Sequence, residues 1–161
     1  MSPHARLLVV LTLVAAGLVP GLVTAGGARA DAAAPSERSA ATYVAQVRRA
    51  TNAERTKRQI RPLRANACLQ KAAQRQADRM ARSGRLHHSP DFGAIGRRCG
   101  LRAWGENVAQ GGGNGRAVVR RWMASSGHRA NILNRDYRIV GIAAVRARGT
   151  WWAVQVFGRK M

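Results

Sequence analysis

Two runs near the end of the chain are apolar at nearly every position, RIVGIAAV (138–145) and TWWAVQVF (150–157). Their β-branched and aromatic residues favour strands, and the ARG between them (147–149) favours a hairpin turn. A strand that alternates apolar and polar residues has one face in water, whereas a strand with two apolar faces is covered on both sides. The rest of the chain offers helices as covers, so the sequence predicts a sheet between two layers of helices.

Three upstream segments have the apolar period of helices. The first spans 42–58, before Pro62 disfavours further helix, and the third lies within NGRAVVRRWM (114–123). Asn66 can cap the second helix, which is predicted to end at Gly84. The residues expected on one side of each helix are Val44, Val47, Ala50 and Arg55 in the first, Leu69, Ala72, Ala73, Gln76, Ala77 and Met80 in the second, and Ala117, Val118, Arg121 and Trp122 in the third.

Between the second and third helices the pattern is irregular. Neither LHHSPDFGAIGRRCG (86–100) nor the WGEN that follows (104–107) has a clear helical or strand period, and GGGNG (111–115) is typical of a flexible loop. The side chains of this region are therefore predicted to occupy loops or element boundaries, where functional groups are commonly presented.

Residues 1–30 have the pattern of a secretory signal peptide: a basic start, MSPHAR, a charge-free apolar run and a small-residue cleavage pattern, ARA. Pro20 breaks the apolar run, which is short for a membrane span. The small and polar residues of 31–40 are typical of a flexible leader. We expect a secreted protein with one domain over 41–161 and no transmembrane anchor after signal cleavage, its oligomeric state left open.

Cys68 and Cys99 are the only cysteines. Outside the cell an even pair is most simply a disulfide. This bond would close a loop of about thirty residues, which the chain-entropy model values at on the order of 3 kcal/mol. Two metal-binding thiolates are the alternative, but neither cysteine has a close-spaced partner such as CxxC.

Charge dominates the composition, with 28 Lys and Arg against 7 Asp and Glu. Such a surface attracts polyanions, for example an anionic cell-wall polymer or lipid head groups. Only three of the basic residues are Lys, and Arg is scattered through every segment, a composition that a GC-rich coding bias also produces. No tract or stripe of charge predicts a dedicated nucleic-acid site.

A Ser-His-Asp arrangement is open on paper, with Ser89, Ser125 or Ser126 as the nucleophile. No GxSxG motif supports it, and a serine beside a helix start is usually a cap. A second candidate cluster consists of His88, Glu106 and His128. Two imidazoles and a carboxylate suit zinc in an open site completed by water, although the spacing matches no local metal motif. Hydrogen-bonded structural groups are the alternative.

The order of short motifs adds a resemblance. NAER-x(7)-L, L-x(2)-AA-x(3)-A-x(2)-M, HS, GEN, W-M-x-S-x-GHR-x-NIL and W-x-VQVFG follow one another from about Tyr43 to Gly158. In this order they resemble the CAP superfamily of cysteine-rich secretory, antigen 5 and pathogenesis-related-1 proteins, in its compact bacterial form, the SCP domain. The resemblance implies an α+β fold, a three-layer α–β–α sandwich with a mainly antiparallel central sheet.

The resemblance also implies a cleft that holds a divalent metal, typically zinc, through His88 and His128, with Glu106 beside them. His87 is adjacent to the matching position and is not carried over. We expect Ser125 and Ser126 to end the third helix, so that His128 stands on a turn and points into the cleft opposite His88.

Asn107 is expected to brace the loop that presents Glu106. The chain also departs from the family pattern. Ser125 occupies the position of a second glutamate in eukaryotic members, and Ser126 that of a proline in bacterial relatives. The cleft therefore has less negative charge with which to hold a cation.

Three functions follow from these patterns. The first is a secreted binding module for a lipid or a cell-wall ligand, more a binder than an enzyme. The second is a zinc-dependent hydrolase in which Glu106 deprotonates the metal-bound water. The third is a polycation that adheres to anionic cell-wall polymers. Four tryptophans could line a groove, with core packing expected for Trp122 and one of the hairpin pair: Trp104, Trp122, Trp151 and Trp152.

Overall fold

The computed structural model describes the backbone of residues 35–161 and the side chains of 39–161. The predicted signal peptide lies outside this part of the chain. Its elements are α1 Pro35–Thr56, β1 Arg64–Ala65, α2 Ala67–Ser83, α3 Phe92–Cys99, β2 Leu101–Gly111, α4 Gly115–Ala124, α5 Ser126–Leu133, β3 Ile139–Ala147 and β4 Thr150–Lys160. Because α1 begins at Pro35, the expected boundary between leader and domain at residue 41 falls inside a helix. No helix of the described part is both long enough and apolar enough to cross a membrane.

The four strands form one sheet in the order β1-β3-β4-β2. β4 pairs antiparallel with both β3 and β2, and the two-residue β1 pairs parallel with β3. The sheet is therefore mixed, and its three long strands are antiparallel as expected. The β3–β4 hairpin turns at Arg148 and Gly149, whose φ angles are 52° and 74°, as a tight two-residue hairpin requires.

Each face of the sheet is covered by its own apolar cluster, which confirms the prediction from the two-faced strands. On one side Trp152, Val154 and Val156 of β4 pack in a cluster with α2 and α3. On the other side Trp151, Ala153 and Phe157 pack in a cluster with α1, α4 and α5. The α–β–α sandwich follows directly from the alternation of β4 side chains between these two clusters.

The second helix has the predicted ends. The Asn66 side chain accepts a hydrogen bond from the Leu69 backbone N–H, and Gly84 closes the helix with φ 67°. The six residues of the expected stripe are all buried. In α4, by contrast, Val118, Val119 and Trp122 are buried, whereas the expected Arg121 is exposed.

The region expected to be irregular contains a helix and a long strand, α3 and β2, so that expectation was wrong. Glu106, Asn107 and Gln110 interrupt the apolar pattern of β2, which hides its strand character in the sequence. Gly100, with φ 60°, ends α3 in the left-handed conformation that favours glycine. A disulfide joins Cys68 to Cys99, as predicted, and ties the start of α2 to the end of α3.

Helix α2 lies so close to β3 that position 141 has no room for a side chain. A Cβ at Gly141 would overlap the backbone of Leu69 and Gln70. We expect Gly141→Ala to lower the free energy of unfolding by at least about 3 kcal/mol, because the overlap is with backbone that cannot rotate away. Urea denaturation monitored by circular dichroism measures this change.

The matched control for Gly141→Ala is Gly93→Ala in α3, where an added Cβ meets nothing within 4 Å. This change should leave stability unchanged or raise it by up to about 1 kcal/mol, because alanine is the better helix former. Equal stability of the two variants would contradict the close packing of α2 on β3.

Candidate functional site

A buried carboxylate, that of Glu106, lies at the centre of the candidate site. Its side chain is 1% exposed, and its Oε1 accepts a hydrogen bond from His88 Nδ1 at 2.8 Å. The same oxygen accepts a bond from the Ser89 backbone N–H at 2.9 Å. Ser89 Oγ donates to Oε2. Both carboxylate oxygens therefore have hydrogen-bond partners from the segment that follows α2.

Glu106 lies in the middle of β2 and not in a loop, so its expected placement was wrong. It pairs with Val156, which belongs to the cluster on the α2–α3 side, and paired residues share a face of the sheet. The next residue, Asn107, pairs with Gln155 and faces the opposite side. The adjacent side chains of Glu106 and Asn107 thus point towards different helical layers.

Asn107 was expected to brace a loop, but it connects strand β2 to helix α5 instead. Its Nδ2 donates to the backbone oxygen of His128 at 3.1 Å and to Gln155 Oε1 at 3.3 Å. Its Oδ1 accepts from Asn131 Nδ2 at 2.9 Å. Gln155 Nε2 in turn donates to Thr51 Oγ1 of α1 at 2.7 Å. This buried network fixes α5 against the sheet.

His128 lies in the first turn of α5 and not on a turn between helices, because α5 already begins at Ser126. Ser125 lies between α4 and α5, at the C-cap position of the first and the N-cap position of the second, and its side chain makes no capping hydrogen bond to α5. His128 Nδ1 lies 2.8 Å from Ser125 Oγ, which places the expected cleft residue Ser125 beside the imidazole. Burial, and secondarily the electrostatic effect of the neighbouring His88, lower the pKa of His128. The two imidazoles are thus close enough to interact electrostatically.

Arg55, the charged residue on the apolar stripe of α1, holds the end of α5. It is fully buried, and its guanidinium donates to the backbone oxygens of Ile132, Asn134 and Tyr137 at 2.7, 2.9 and 3.2 Å. Burial, helped by the charges of Arg138 and Arg135, lowers its pKa to about 10. Arg55 is therefore still charged at neutral pH and binds carbonyls that α5 leaves unpaired.

A cavity of about 420 Å³ opens beside Glu106, lined by His88, Phe92, Trp104, Gly105, Glu106 and Asn131. We call it the His/Glu cleft. His128, which was expected to point into the cleft opposite His88, is not among its lining residues. Trp104 Nε1 donates to the Phe92 backbone oxygen, which fixes one wall. A Cβ at Gly105 would lie 2.7 Å from Asn131 Oδ1, so the glycine of GEN allows Asn131 to reach β2. Trp104 is the tryptophan of this cleft, whereas the other three are buried in the core.

Both histidines use Nδ1 in the hydrogen bonds described above, so Nε2 is the ring nitrogen left without a partner among the described residues. A carboxylate only accepts hydrogen bonds, so His88 Nδ1 carries a proton and the neutral ring has its lone pair on Nε2. The Ser125 hydroxyl can accept a hydrogen bond from His128 Nδ1, which leaves the lone pair of His128 on Nε2. Among the described residues, no set of three or more His, Cys, Asp and Glu side chains is arranged to share a metal ion. The geometry thus provides two imidazole donors and a carboxylate that orients one of them.

The serine residues do not form a hydrolytic triad in the described part of the chain. Ser89 is buried and bonded to Glu106. Ser125 contacts His128 Nδ1, but no carboxylate is bonded to that imidazole. His87, which the resemblance left out, contacts Gln76 and the backbone of His88. Ser89, Asn131 and Gln155 organise the site, and only their positions beside or within the HS, NIL and VQVFG motifs could have indicated this.

Comparisons with known proteins agree with this architecture. The family model of the cysteine-rich secretory protein family, CAP, matches residues 48–157. The uncharacterized protein YkwD of Bacillus subtilis is 34% identical over 142 residues, which are 84% of this chain and 54% of YkwD. The chain thus spans about half the length of this curated relative.

Solved structures share the fold. An extracellular protein containing an SCP domain, from Bacillus anthracis, superposes with a TM-score of 0.68 at 26% identity, over 78% of this chain and 43% of that one. An outer surface protein of Borrelia burgdorferi gives 0.63 at 20% identity, over 69% and 87%. These neighbours are described as extracellular or outer-surface proteins. With the family model covering most of the folded part, the chain belongs to the CAP family, as a bacterial protein of the SCP type.

Proposed function

We propose that this chain is an extracellular binding module that holds a divalent cation between His88, at the His/Glu cleft, and the neighbouring His128, and a lipid in a groove between α1 and α4. It acts by binding and not by catalysis. The observation that supports binding over hydrolysis is the state of Glu106, the carboxylate of the cleft. Its side chain is 1% exposed, and both oxygens accept hydrogen bonds from His88 or Ser89.

A general base needs a free lone pair within reach of the water that it deprotonates. Hydrogen bonds use three of the four lone-pair sites of the Glu106 carboxylate, and its side chain is 1% exposed, so water has little access to it. These contacts favour a different role, which is to orient His88. Carboxylate–histidine pairs of this kind keep the imidazole in the tautomer that binds metal through Nε2. A hydrolase would require a water to reach the buried Glu106 carboxylate.

The donor set suits a cation bound by His88 and His128, with the remaining positions taken by water or by a ligand oxygen. Neutral imidazoles bind zinc well, and the lowered pKa of His128 keeps it neutral at physiological pH. When bound, the cation would supply a Lewis-acidic contact for an oxygen of the ligand. With two protein donors, its affinity should be low compared with that of closed four-ligand sites.

Zinc titration by calorimetry tests the cation site. We expect His88→Ala and His128→Ala each to weaken zinc binding by at least about ten-fold, because each removes one of two donors. Protons compete for the same nitrogens, so the affinity should fall as the pH drops through the lowered pKa of His128. His87→Ala, which removes the adjacent imidazole, is the matched control and should leave the affinity unchanged. Unchanged affinity in both of the other variants would refute the site.

The lipid part of the proposal rests on a second cavity, of about 550 Å³, between α1 and α4. We call it the α1–α4 groove. Ala50, Ala53, Val119 and Met123 give it an apolar surface, and Lys57, Arg116 and Arg120 line it with positive charge. Glu54, the acidic residue of the lining, is already paired with Lys57 and Arg58. Arg116 and Arg120 are in none of the ion pairs among the described residues, and apolar surface beside these cations suits a molecule with an acyl chain and an anionic head group.

Fatty-acid binding tests the groove. Ala53 is exposed on α1, so Ala53→Glu should fold normally and place a carboxylate on the apolar surface. We expect this variant to lose oleate binding by at least about ten-fold, since burying the new charge against the acyl chain is unfavourable. Displacement of a fluorescent fatty acid measures the affinity.

Ala130→Glu on α5 introduces the same charge at another exposed helical position and serves as the control. It should bind oleate like the unmodified protein. A similar loss in both variants would mean that net charge and not the groove controls binding, and absence of oleate binding to the unmodified protein would refute the lipid site.

Adhesion to anionic cell-wall polymers is a second candidate function, favoured by the exposed arginines that occur on most elements. Here we expect retention on an anionic polymer to fall steeply between about 50 and 200 mM salt, because counterion release drives such binding. The substitutions His88→Ala and Ala53→Glu should leave the salt slope nearly unchanged. Retention that survives high salt, or that is lost with His88, would contradict simple polycation adhesion.

A further inference from the structure

A third cavity, of about 410 Å³, lies near the β3–β4 hairpin, on the α1 side of the sheet. Thr42, Tyr43 and Gln46 of α1, Asn114 before α4 and Arg146 and Trp151 of the hairpin line it. We call it the Arg146 pocket. It shares no lining residue with the His/Glu cleft or with the α1–α4 groove. None of the described residues that line it is acidic, so its chemistry is not that of a cation site.

The pocket offers mainly hydrogen-bond donors, because its amide oxygens are already used by helix α4. Gln46 Oε1 accepts from the Gly115 backbone N–H at 3.0 Å. Asn114 Oδ1 accepts from the N–H groups of Arg116 and Ala117 at 3.1 and 3.0 Å. In the described part of the chain, the NH₂ groups of both amides remain without a protein acceptor. A site rich in donors suits a ligand rich in oxygen atoms.

Arg146 adds a positive charge to these donors. Its guanidinium carbon lies 5.9 Å from the centroid of the Trp151 ring, which itself stacks on Tyr43 at 4.5 Å. None of the ion pairs among the described residues involves Arg146. The exposed guanidinium is therefore available for a bidentate contact with a carboxylate or phosphate.

The Tyr43 hydroxyl is the second unusual feature of this pocket. Tyr43 is 3% exposed, and its hydroxyl is buried without a hydrogen-bond partner among the described residues. Burial raises the pKa of Tyr43 to about 12, against the opposing charge of Arg121, so the hydroxyl remains a donor at neutral pH. Buried polar groups without partners are rare in folded proteins, and this one belongs to a residue that lines the cavity.

From these contacts we infer that the Arg146 pocket binds a saccharide unit bearing a carboxylate or phosphate. Arg146 pairs with the acidic group, and the amides of Gln46 and Asn114 donate to ring or hydroxyl oxygens. Trp151, which lines the pocket and is 8% exposed, contributes apolar surface to its wall. This site is additional to the proposed function and does not depend on the cation or the lipid. It would give the chain a specific contact with acidic glycans, beyond its overall positive charge.

Calorimetry with small probes tests the inference on the full chain. Glucuronic acid and glucose 1-phosphate should both bind, and their comparison tells whether a carboxylate or a phosphate is preferred. Glucose and inorganic phosphate should each bind at least about ten-fold more weakly, because each lacks one half of the ligand. If glucose or phosphate alone binds as tightly as the acidic sugars, or if no probe binds, the inference is wrong.

Arg146→Gln should weaken binding of the acidic sugars by at least about ten-fold. Arg148→Gln, an equal change of charge two residues away at the exposed hairpin turn, should weaken it by less than about two-fold. Equal losses in the two variants would assign the binding to general charge and overturn the site.

NMR of the indole N–H groups locates the ligand. Glucuronic acid should shift the Trp151 signal and leave that of Trp104, in the His/Glu cleft, unchanged. A shift of Trp104 alone would place the sugar in the cleft and overturn the pocket, while leaving the proposed cation and lipid sites to their own tests.

Tyr43→Phe should fold with unchanged or higher stability, since it removes a buried donor without a partner, and should bind the acidic sugars more weakly. Unchanged binding would remove Tyr43 from the site.

Discussion

A sheet that is buried on both faces leaves no water for the polar side chains it carries, and this constraint organises the whole site. Glu106, Asn107 and Gln155 all lie on central or edge strands with buried side chains. Each of these polar groups, if left unpaired, would lower the free energy of unfolding. Their partners come from the surrounding helices and loops, and the demand for those partners places His88, Ser89 and α5 where they are.

The site lies at the free edge of β2, because that strand ends the sheet. Glu106 faces the α2–α3 layer and Asn107 the opposite layer, so groups from both layers meet around this edge. Asn131 Nδ2 donates to the Glu106 backbone oxygen at 3.1 Å and covers the strand, while Arg55 anchors the end of α5. A site held by so many fixed contacts is preorganised for binding. The α1–α4 groove and the Arg146 pocket are built on the helical layer that Arg55 helps to hold.

Much of the fold could be predicted because local chemistry and apolar period agreed. The caps of α2, the stripe from Leu69 to Met80 and the two-faced strands of the hairpin all gave correct elements. For the stretch from Phe92 to Gly111 the prediction of secondary structure failed, and the reason is physical. In α3 and β2 small and polar residues occupy buried positions, where partners from other elements satisfy them, so the local pattern carries little signal. Glu106 was therefore expected in a loop, and Ser89 was considered only as a nucleophile.

The sequence alone determined the layered architecture, the disulfide, the positive charge and the residue types from which a cation site can be built, since these depend on composition, period and motif order. Only the tertiary structure decided what those residues do. Whether the Glu106 carboxylate is exposed or hydrogen-bonded, which imidazole nitrogen has a partner and which amide oxygens are used depend on contacts between residues far apart in the chain. Such contacts exist only after the layers have packed around the sheet.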